Sequence, residues 1–201
     1  MASVYDLKPK FQNLLRPTCA SLARAGVTAN QVTISAAAIS IALGATIWAT
    51  RGAAWGLWLV PVVLFVRMAL NAIDGMLARE FHQKSALGAV LNELGDVISD
   101  AALYLPFAAI AGVDAILVGF LVAIAVITEM TGVVAVQIGA SRRYDGPFGK
   151  SDRAVFFGAL AIALGAGLVP GLWTQIVLIL ACLLGLITIF NRARLALRER
   201  A

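Results

Sequence analysis

Two long stretches of this chain, residues 25–50 and 154–191, contain no charged side chain. A helix needs about 20 apolar residues to cross the hydrocarbon core of a bilayer, so the first stretch is long enough for one crossing and the second for two. Of the 201 residues, 61% are hydrophobic and 13% are charged, and the mean hydropathy is +0.89. This composition is typical of a helical membrane protein with several spans and excludes an ordinary water-soluble domain.

Three further apolar segments lie between these stretches, and each of them contains ionisable residues. We therefore predict an all-α integral membrane protein with six transmembrane helices in one domain, residues 1–201. Residues 1–30 mix basic side chains with leucine and phenylalanine at helical spacing, which predicts an N-terminal amphipathic helix on the membrane surface. The predicted spans are approximately 31–50, 54–79, 85–111, 114–138, 153–169 and 173–193.

The basic residues indicate how the predicted spans are oriented. All but two of the 16 lysines and arginines fall on one side when each is assigned to the end of a span, the exceptions being Arg51 and Arg67. Cytoplasmic flanks are enriched in positive charge, so we expect a multi-pass protein of the cell (inner) membrane with both termini in the cytoplasm. Contact with anionic membrane lipids explains the net charge of +5, and no nucleic acid partner is expected.

Residues 70–100 place many polar groups inside two of the predicted spans. A short turn near His82 joins these spans, so they run antiparallel, and residues equally far from the turn lie at a similar depth. Steps of three and four residues keep the polar positions of each helix on one face. The resulting layers pair Asp74 with Glu93, Asn71 with Asp96, and Arg67 with Asp100.

Such a cluster is costly in a membrane unless its groups are paired, hydrated or bound to metal. Magnesium prefers oxygen ligands and often completes its shell with substrate phosphates, so the cluster indicates a metal-dependent phosphate site that opens to the cytoplasm. Spacing alone equally allows a ladder of ion pairs that fixes helix register, or a cation or proton pathway in a small transporter.

The order of the residues favours the first interpretation. The chain reads Asn71-x-x-Asp74-Gly75-x-x-Ala78-Arg79, then eight residues, then Gly88-x-x-x-Asn92-x-x-x-Asp96. This string resembles the signature of the CDP-alcohol phosphotransferase (CDP-alcohol phosphatidyltransferase) family, D-x-x-D-G-x-x-A-R-x8-G-x3-D-x3-D, and differs from it at two defined positions. The segment GVTANQVT, residues 26–33, resembles the start of the family's first span.

The resemblance implies a reaction and its partners. Family members transfer a substituted phosphate from a CDP-linked lipid, commonly CDP-diacylglycerol, to a polar alcohol and release CMP, in phospholipid synthesis. They use Mg²⁺ or Mn²⁺ held by the first three aspartates of the motif, and the resemblance further suggests a homodimer. Carried onto this chain, the resemblance assigns Asp96 as the catalytic base and Asp74 as a metal ligand. It assigns the donor nucleotide and diphosphate to Gly75, Ala78 and Arg79, and close helix approach to Gly88.

The two departures from the signature are Asn71 and Asn92, which stand where the family has its first and third aspartates. An amide oxygen can bind a metal ion but brings no negative charge, so we expect weaker metal binding. Glu93 offers compensation, although it lies about 100° around the helix from Asn92. We therefore take Asn71, Asp74, Asn92, Glu93 and Asp96 as the candidate metal ligands and favour an active enzyme. The alternative is a catalytically impaired scaffold that binds CDP-lipid, or a small transporter.

A second candidate site lies in the basic segment of residues 139–154. Lys150 and Arg153 fall near the predicted start of a helix, which favours binding of an anion, and relatives that use inositol phosphate are similar in placing basic residues here for the acceptor. The alternative is that this loop is basic only because it faces the cytoplasm. For Glu129 we favour hydrogen bonding among the helices over metal binding, and for His82 a solvated position in the turn.

Overall fold

The computed structural model describes residues 4–200, with side chains from residue 11 onwards. All regular structure within residues 4–200 is helical, as the sequence predicts. The elements are α1 (Val4–Arg24), α2 (Ala29–Thr50), α3 (Ala54–Glu80), α4 (Ala86–Tyr104), a 3-10 helix (Leu105–Ala109), α5 (Ala115–Gln137), α6 (Lys150–Gly165) and α7 (Leu172–Arg200).

Four of these helices, α2, α3, α5 and α7, are long and apolar enough to cross a membrane. The helices α4 and α6 occupy the positions of the other two predicted spans but are shorter than expected. The regular turns of α4 end at Tyr104, because Pro106 lacks a backbone N–H and the chain continues as a 3-10 helix. The helix α6 ends at Gly165, and Gly167 follows with a φ of +90°, a conformation that favours glycine just after a helix.

The chain forms two compact units. The first comprises Met1–Ser40 and Val63–Ser99, and the second comprises Ile41–Val62 and Asp100–Ala201. Every residue of the motif that resembles the family signature belongs to the first unit. The basic segment around Lys150 belongs to the second unit.

An apolar core in the first unit joins α1, the start of α2 and the end of α3. Cys19, Val32, Ile73, Met76 and Leu77 are buried together in this core. Since residues 73, 76 and 77 lie on neighbouring turns, the core fixes the rotation of α3 about its axis and therefore the direction in which its polar residues point.

The start of α2 is held by side chains in addition to the core. Thr28 and Gln31 form a capping box, in which the Gln31 backbone N–H donates to the Thr28 hydroxyl at 3.2 Å and the Thr28 backbone N–H donates to the Gln31 side-chain oxygen at 2.9 Å. Gln83, from the turn after α3, accepts a hydrogen bond from the backbone N–H of Ala29 at 2.7 Å. The turn and the start of α2 are therefore tied together.

The helices α3 and α4 are joined by the predicted short turn. His82 lies in it with a φ of +57° and is exposed, which confirms the expected solvated position. The Ser85 hydroxyl accepts from the Gly88 N–H at 2.9 Å and caps α4. A Cβ on Gly88 would lie 2.9 Å from Oδ1 of Asn30, so the Asn30 side chain at the start of α2 packs against this glycine.

The second unit packs a stacked aromatic pair and anchors its long loop on α7. The rings of Tyr104 and Phe157 are parallel with centroids 4.0 Å apart. In the loop between α5 and α6, the Phe148 N–H donates to the Thr188 hydroxyl at 2.9 Å, and Arg192 donates to the backbone oxygen of Asp145 at 3.2 Å. These bonds hold the basic loop against the last helix.

Candidate active site

Asp74 is the most deeply buried member of the predicted metal set. It lies on α3 between the core residues Ile73 and Met76 and is only 5% exposed. Its Oδ2 accepts a hydrogen bond at 2.8 Å from the hydroxyl of Thr33 on α2. A buried carboxylate requires such donors, because an ionised oxygen without them loses its hydration at great cost.

Asp96, the predicted base, lies on α4 beside Asn71 of α3. The Asn71 amide donates to Oδ1 of Asp96 at 3.2 Å, which confirms that the two residues share a layer of the hairpin. Arg67 donates to the backbone oxygen of Asp96 at 3.2 Å, and its guanidinium lies 3.9 Å from the carboxylate. The Asp96 side chain is 26% exposed, so the carboxylate remains accessible.

The remaining candidate ligands lie on the first turns of α4. Asn92 is exposed and precedes Asp96 by four residues, so the two share a face of the helix, whereas Glu93 is half-buried on a neighbouring face. The layer that pairs Asp74 with Glu93 and the layer that pairs Arg67 with Asp100 both stay predictions. The candidate ligands on α4 thus divide between two faces of the helix.

Arg79 folds back along its own helix. A Cβ on Gly75 would lie 2.9 Å from Nη2 of Arg79, so the guanidinium covers the small residue one turn earlier. The resemblance assigns Gly75 and Ala78 to close approach of the nucleotide, and this role stays a prediction. Arg79 is exposed at the end of α3 and carries a planar cation suited to diphosphate oxygens.

The oxygen atoms of this set fit a hard divalent cation. Asp74 and Asp96 provide carboxylates, and Asn71 and Asn92 provide amide oxygens, which are the ligand types that Mg²⁺ and Mn²⁺ accept. Within residues 4–200, no three His, Cys, Asp or Glu side chains form a group that could hold a metal ion. Metal binding by this set stays a prediction.

The second unit contains a cluster of buried ion pairs around Glu129 of α5. Arg153 of α6 donates from Nη2 to Glu129 at 2.9 Å and to Asp100 at 2.9 Å. Arg142 donates to the other oxygen of Glu129 at 2.9 Å, and Arg192 of α7 lies 3.4 Å from it. Hydrogen bonding among the helices, the role favoured for Glu129, is confirmed.

The two residues proposed for the acceptor differ in exposure and in their bonds. Lys150 is half-buried at the first position of α6. Arg153, one turn later, is 1% exposed, and two of its three guanidinium nitrogens bond to Asp100 and Glu129. Its third nitrogen, Nη1, is buried and has no hydrogen-bond partner among the atoms of the described chain.

Sequence reasoning missed two residues that shape these sites. Thr33 holds Asp74, and its only signal was a hydroxyl within GVTANQVT. Arg192 was counted among the basic residues after the last span, but it is 1% exposed and donates to the backbone oxygen of Thr128 at 2.6 Å. A charge next to a membrane end does not reveal by itself whether it points to lipid headgroups or into the protein.

Comparison with known proteins gives this fold and site a class, that of membrane transferases of phospholipid synthesis. The model of the family described as CDP-alcohol phosphatidyltransferase matches residues 26–187, and the chain belongs to that family. It is 46% identical over 192 residues to the Inner membrane protein YnbA of Escherichia coli (strain K12), covering 96% of this chain and 95% of that protein.

Solved structures show the same fold at lower identity. The phosphatidylinositol phosphate synthase PgsA1 of Mycobacterium tuberculosis, in complex with manganese and citrate, is 23% identical with a TM-score of 0.74, over 90% of this chain and 87% of that one. The same protein with CDP-DAG bound is 22% identical with a TM-score of 0.75, over 90% and 92%. These likenesses establish the membrane-type fold of the family.

Proposed function

We propose that this protein transfers a substituted phosphate from a CDP-linked lipid, CDP-diacylglycerol, to a polar alcohol and releases CMP, as a step of phospholipid synthesis. The observation that carries the proposal is the α3–α4 hairpin, which presents Asp74, Asp96 and Asn71 in the family order with Asn71 and Asp96 in direct contact. The family match over residues 26–187 and the solved relative with CDP-DAG bound support the choice of donor.

In this proposal Asp96 is the base. It takes the proton of the acceptor hydroxyl, whose oxygen attacks the phosphorus that bears the lipid alcohol, and the bond from that phosphorus to CMP breaks. Asn71 and Arg67 hold the Asp96 carboxylate and its backbone in place for this transfer. Arg79 binds the donor diphosphate, and Gly75 and Ala78 leave room for the nucleotide.

Asn71, Asp74, Asn92, Asp96 and Glu93 would hold Mg²⁺ or Mn²⁺. When bound there, such an ion would supply positive charge that offsets the negative charge of the diphosphate. The relative that contains manganese supports a divalent ion of this kind.

We propose Lys150 and Arg153 as contacts of an anionic acceptor. Lys150 lies in the first turn of a helix, where backbone N–H groups favour an anion. Arg153 would contribute through Nη1, the guanidinium nitrogen that does not bond to Asp100 or Glu129.

We also propose the membrane arrangement. Residues 1–201 form one domain of the inner membrane with α1 on the surface, six spans made by α2–α7, and both termini in the cytoplasm. The relative named as an inner membrane protein and the four long apolar helices support this arrangement. The proposal includes a homodimer.

The experiment is turnover by purified protein in lipid nanodiscs with labelled CDP-diacylglycerol. The acceptors are glycerol phosphate, inositol phosphate and serine, each with Mg²⁺, with Mn²⁺ or with chelator. CMP release that needs both a metal ion and one of these alcohols is the expected result. Binding of CDP-diacylglycerol without CMP release under every condition would contradict catalysis and indicate the scaffold that Asn71 and Asn92 make conceivable.

A further inference from the structure

We propose that Thr33 is a positioning residue, whose hydroxyl orients the Asp74 carboxylate for binding a divalent cation. This inference rests on the proposed function, because it assumes that Asp74 is a metal ligand. It assigns a role to a residue of α2, outside the hairpin that carries the motif.

The contact between Thr33 and Asp74 is short and sheltered. The Thr33 hydroxyl lies 2.8 Å from Oδ2 of an aspartate that is 5% exposed. It also lies 3.1 Å from the backbone oxygen of Ala29, four residues before it on the same helix. A hydroxyl has one proton to donate, and a bond to a carboxylate is stronger than a bond to a neutral carbonyl, so the proton goes to Asp74.

Other hydroxyls of α2 show what Thr33 would otherwise do. The side chains of Ser35, Ser40 and Thr46 each donate to the backbone oxygen four residues earlier, all at 2.8 Å. This local bond is the usual state of serine and threonine within a helix. The hydroxyl of Thr33 lies farther from the backbone oxygen of its own helix than these hydroxyls do, and it also contacts a carboxylate on another helix.

The side chain of Thr33 also packs against a second helix. The Cγ2 methyl of Thr33 lies 3.4 Å from where a Cβ on Gly95 would be, so the side chain packs against α4 next to Asp96. A β-branched side chain in a helix has few rotamers, and the capping box of Thr28 and Gln31 anchors the turn below it. Thr33 therefore contacts the helices that carry both Asp74 and Asp96.

The test compares three variants of the full chain by titration with Mn²⁺ alone, followed by electron paramagnetic resonance. Thr33→Val keeps the shape and removes the hydroxyl, and it should weaken Mn²⁺ binding by about 10- to 100-fold, as loss of a hydrogen bond to a metal ligand does. Thr33→Ser keeps the hydroxyl and should bind Mn²⁺ close to wild type. Thr46→Val is the matched control, since Thr46 is half-buried and its hydroxyl bonds only to the backbone oxygen of Ala42 among the contacts of the described chain.

The same variants are assayed for CMP release over a range of Mn²⁺ concentrations. Thr33→Val should need correspondingly more Mn²⁺ for half-maximal rate and recover most of the rate at saturation, a split that loss of packing alone does not produce. Equal Mn²⁺ affinity of Thr33→Val and wild type would overturn the inference while wild-type turnover leaves the proposed function standing. Equal losses in Thr33→Val and Thr33→Ser would also overturn it, because packing would then be the cause. Absence of Mn²⁺ binding and of CMP release in wild type would overturn the proposed function itself.

Discussion

Both compact units bury carboxylates, but they surround them with different partners. In the second unit, Glu129 is within 3.4 Å of three guanidinium groups, and its side chain is 9% exposed. In the first unit, Asp74 accepts from the hydroxyl of Thr33. Asp96, which is 26% exposed, accepts from the amide of Asn71 and lies 3.9 Å from the guanidinium of Arg67.

We propose that this difference separates a structural task from a chemical one. Three arginines neutralise Glu129 and leave little negative charge for anything else, so the cluster holds α5, α6, α7 and the basic loop together. The hydroxyl of Thr33 and the amide of Asn71 bring no positive charge of their own, so they orient the carboxylates of Asp74 and Asp96 without cancelling their charge. The carboxylates of the first unit are therefore those we expect chemistry to need.

The largest expected effect is the loss of turnover in Asp96→Asn. Loss of the base should lower turnover by about 10²- to 10⁴-fold, because proton transfer contributes that much to typical enzymes. Binding of CDP-diacylglycerol and the unfolding temperature in detergent should stay close to wild type. Turnover that survives the substitution would remove Asp96 from the mechanism.

Glu129→Gln should show the opposite pattern. The change leaves guanidinium groups buried with one carboxylate fewer, and breaking a buried ion pair in this way costs about 3–5 kcal/mol of folding stability. Thermal unfolding in detergent measures it. Glu80→Gln is the control, because its pair with Arg16 is exposed and contributes less than about 1 kcal/mol. A stable but inactive Glu129→Gln would show that the second unit's carboxylates also serve chemistry.

Replacing Asn71 or Asn92 by the aspartate of the family signature should strengthen metal binding by the first unit. Asn71→Asp puts a second negative charge beside Asp96, where the amide nitrogen now lies 3.2 Å from Oδ1, so the pair gains attraction for a cation. We expect the Mn²⁺ concentration for half-maximal turnover to fall by about tenfold, and Asn92→Asp to act in the same direction. Asn13→Asp, on the exposed side of α1, adds the same charge elsewhere and should leave the requirement unchanged. An unaltered requirement in both motif variants would show that the missing charges do not limit metal binding.

The smallest effect concerns the acceptor. Lys150→Ala should raise KM for a phosphate-bearing acceptor by about two- to fivefold, the size expected for one charge at a helix start, with no change for serine. Lys84→Ala, in the exposed turn between α3 and α4, is the matched control. If Lys150→Ala has the same KM as wild type for every acceptor, Lys150 is not an acceptor contact.

The sequence predicted the helical membrane fold and one contact of the site because both follow from local geometry. Apolar length identifies the helices, and a short turn with steps of three and four residues places Asn71 opposite Asp96. The partners of Asp100 could not be obtained in this way. Arg153 is 53 residues away from Asp100, and nothing in the spacing of either residue reveals how the helices of the second unit pack.

The place of Thr33 was hidden for a related reason. A threonine in an apolar helix usually bonds to its own backbone, and the sequence offers no sign that a carboxylate 41 residues later replaces that bond. Pro106, in contrast, was visible in the sequence and marks the position where α4 gives way to a 3-10 helix, well before the predicted end of the span at residue 111.

Gln83 gives the turn between α3 and α4 an uncommon sensitivity to length. Surface turns normally tolerate an added or deleted residue. In this turn, however, the side-chain amide of Gln83 accepts from the backbone N–H of Ala29 and donates to the backbone oxygen of Val27. One inserted residue would displace Gln83 from these two hydrogen bonds. Thr33 lies only one helical turn after Ala29, so its position would change as well. The length of this turn would thereby govern how accurately the carboxylates are aligned.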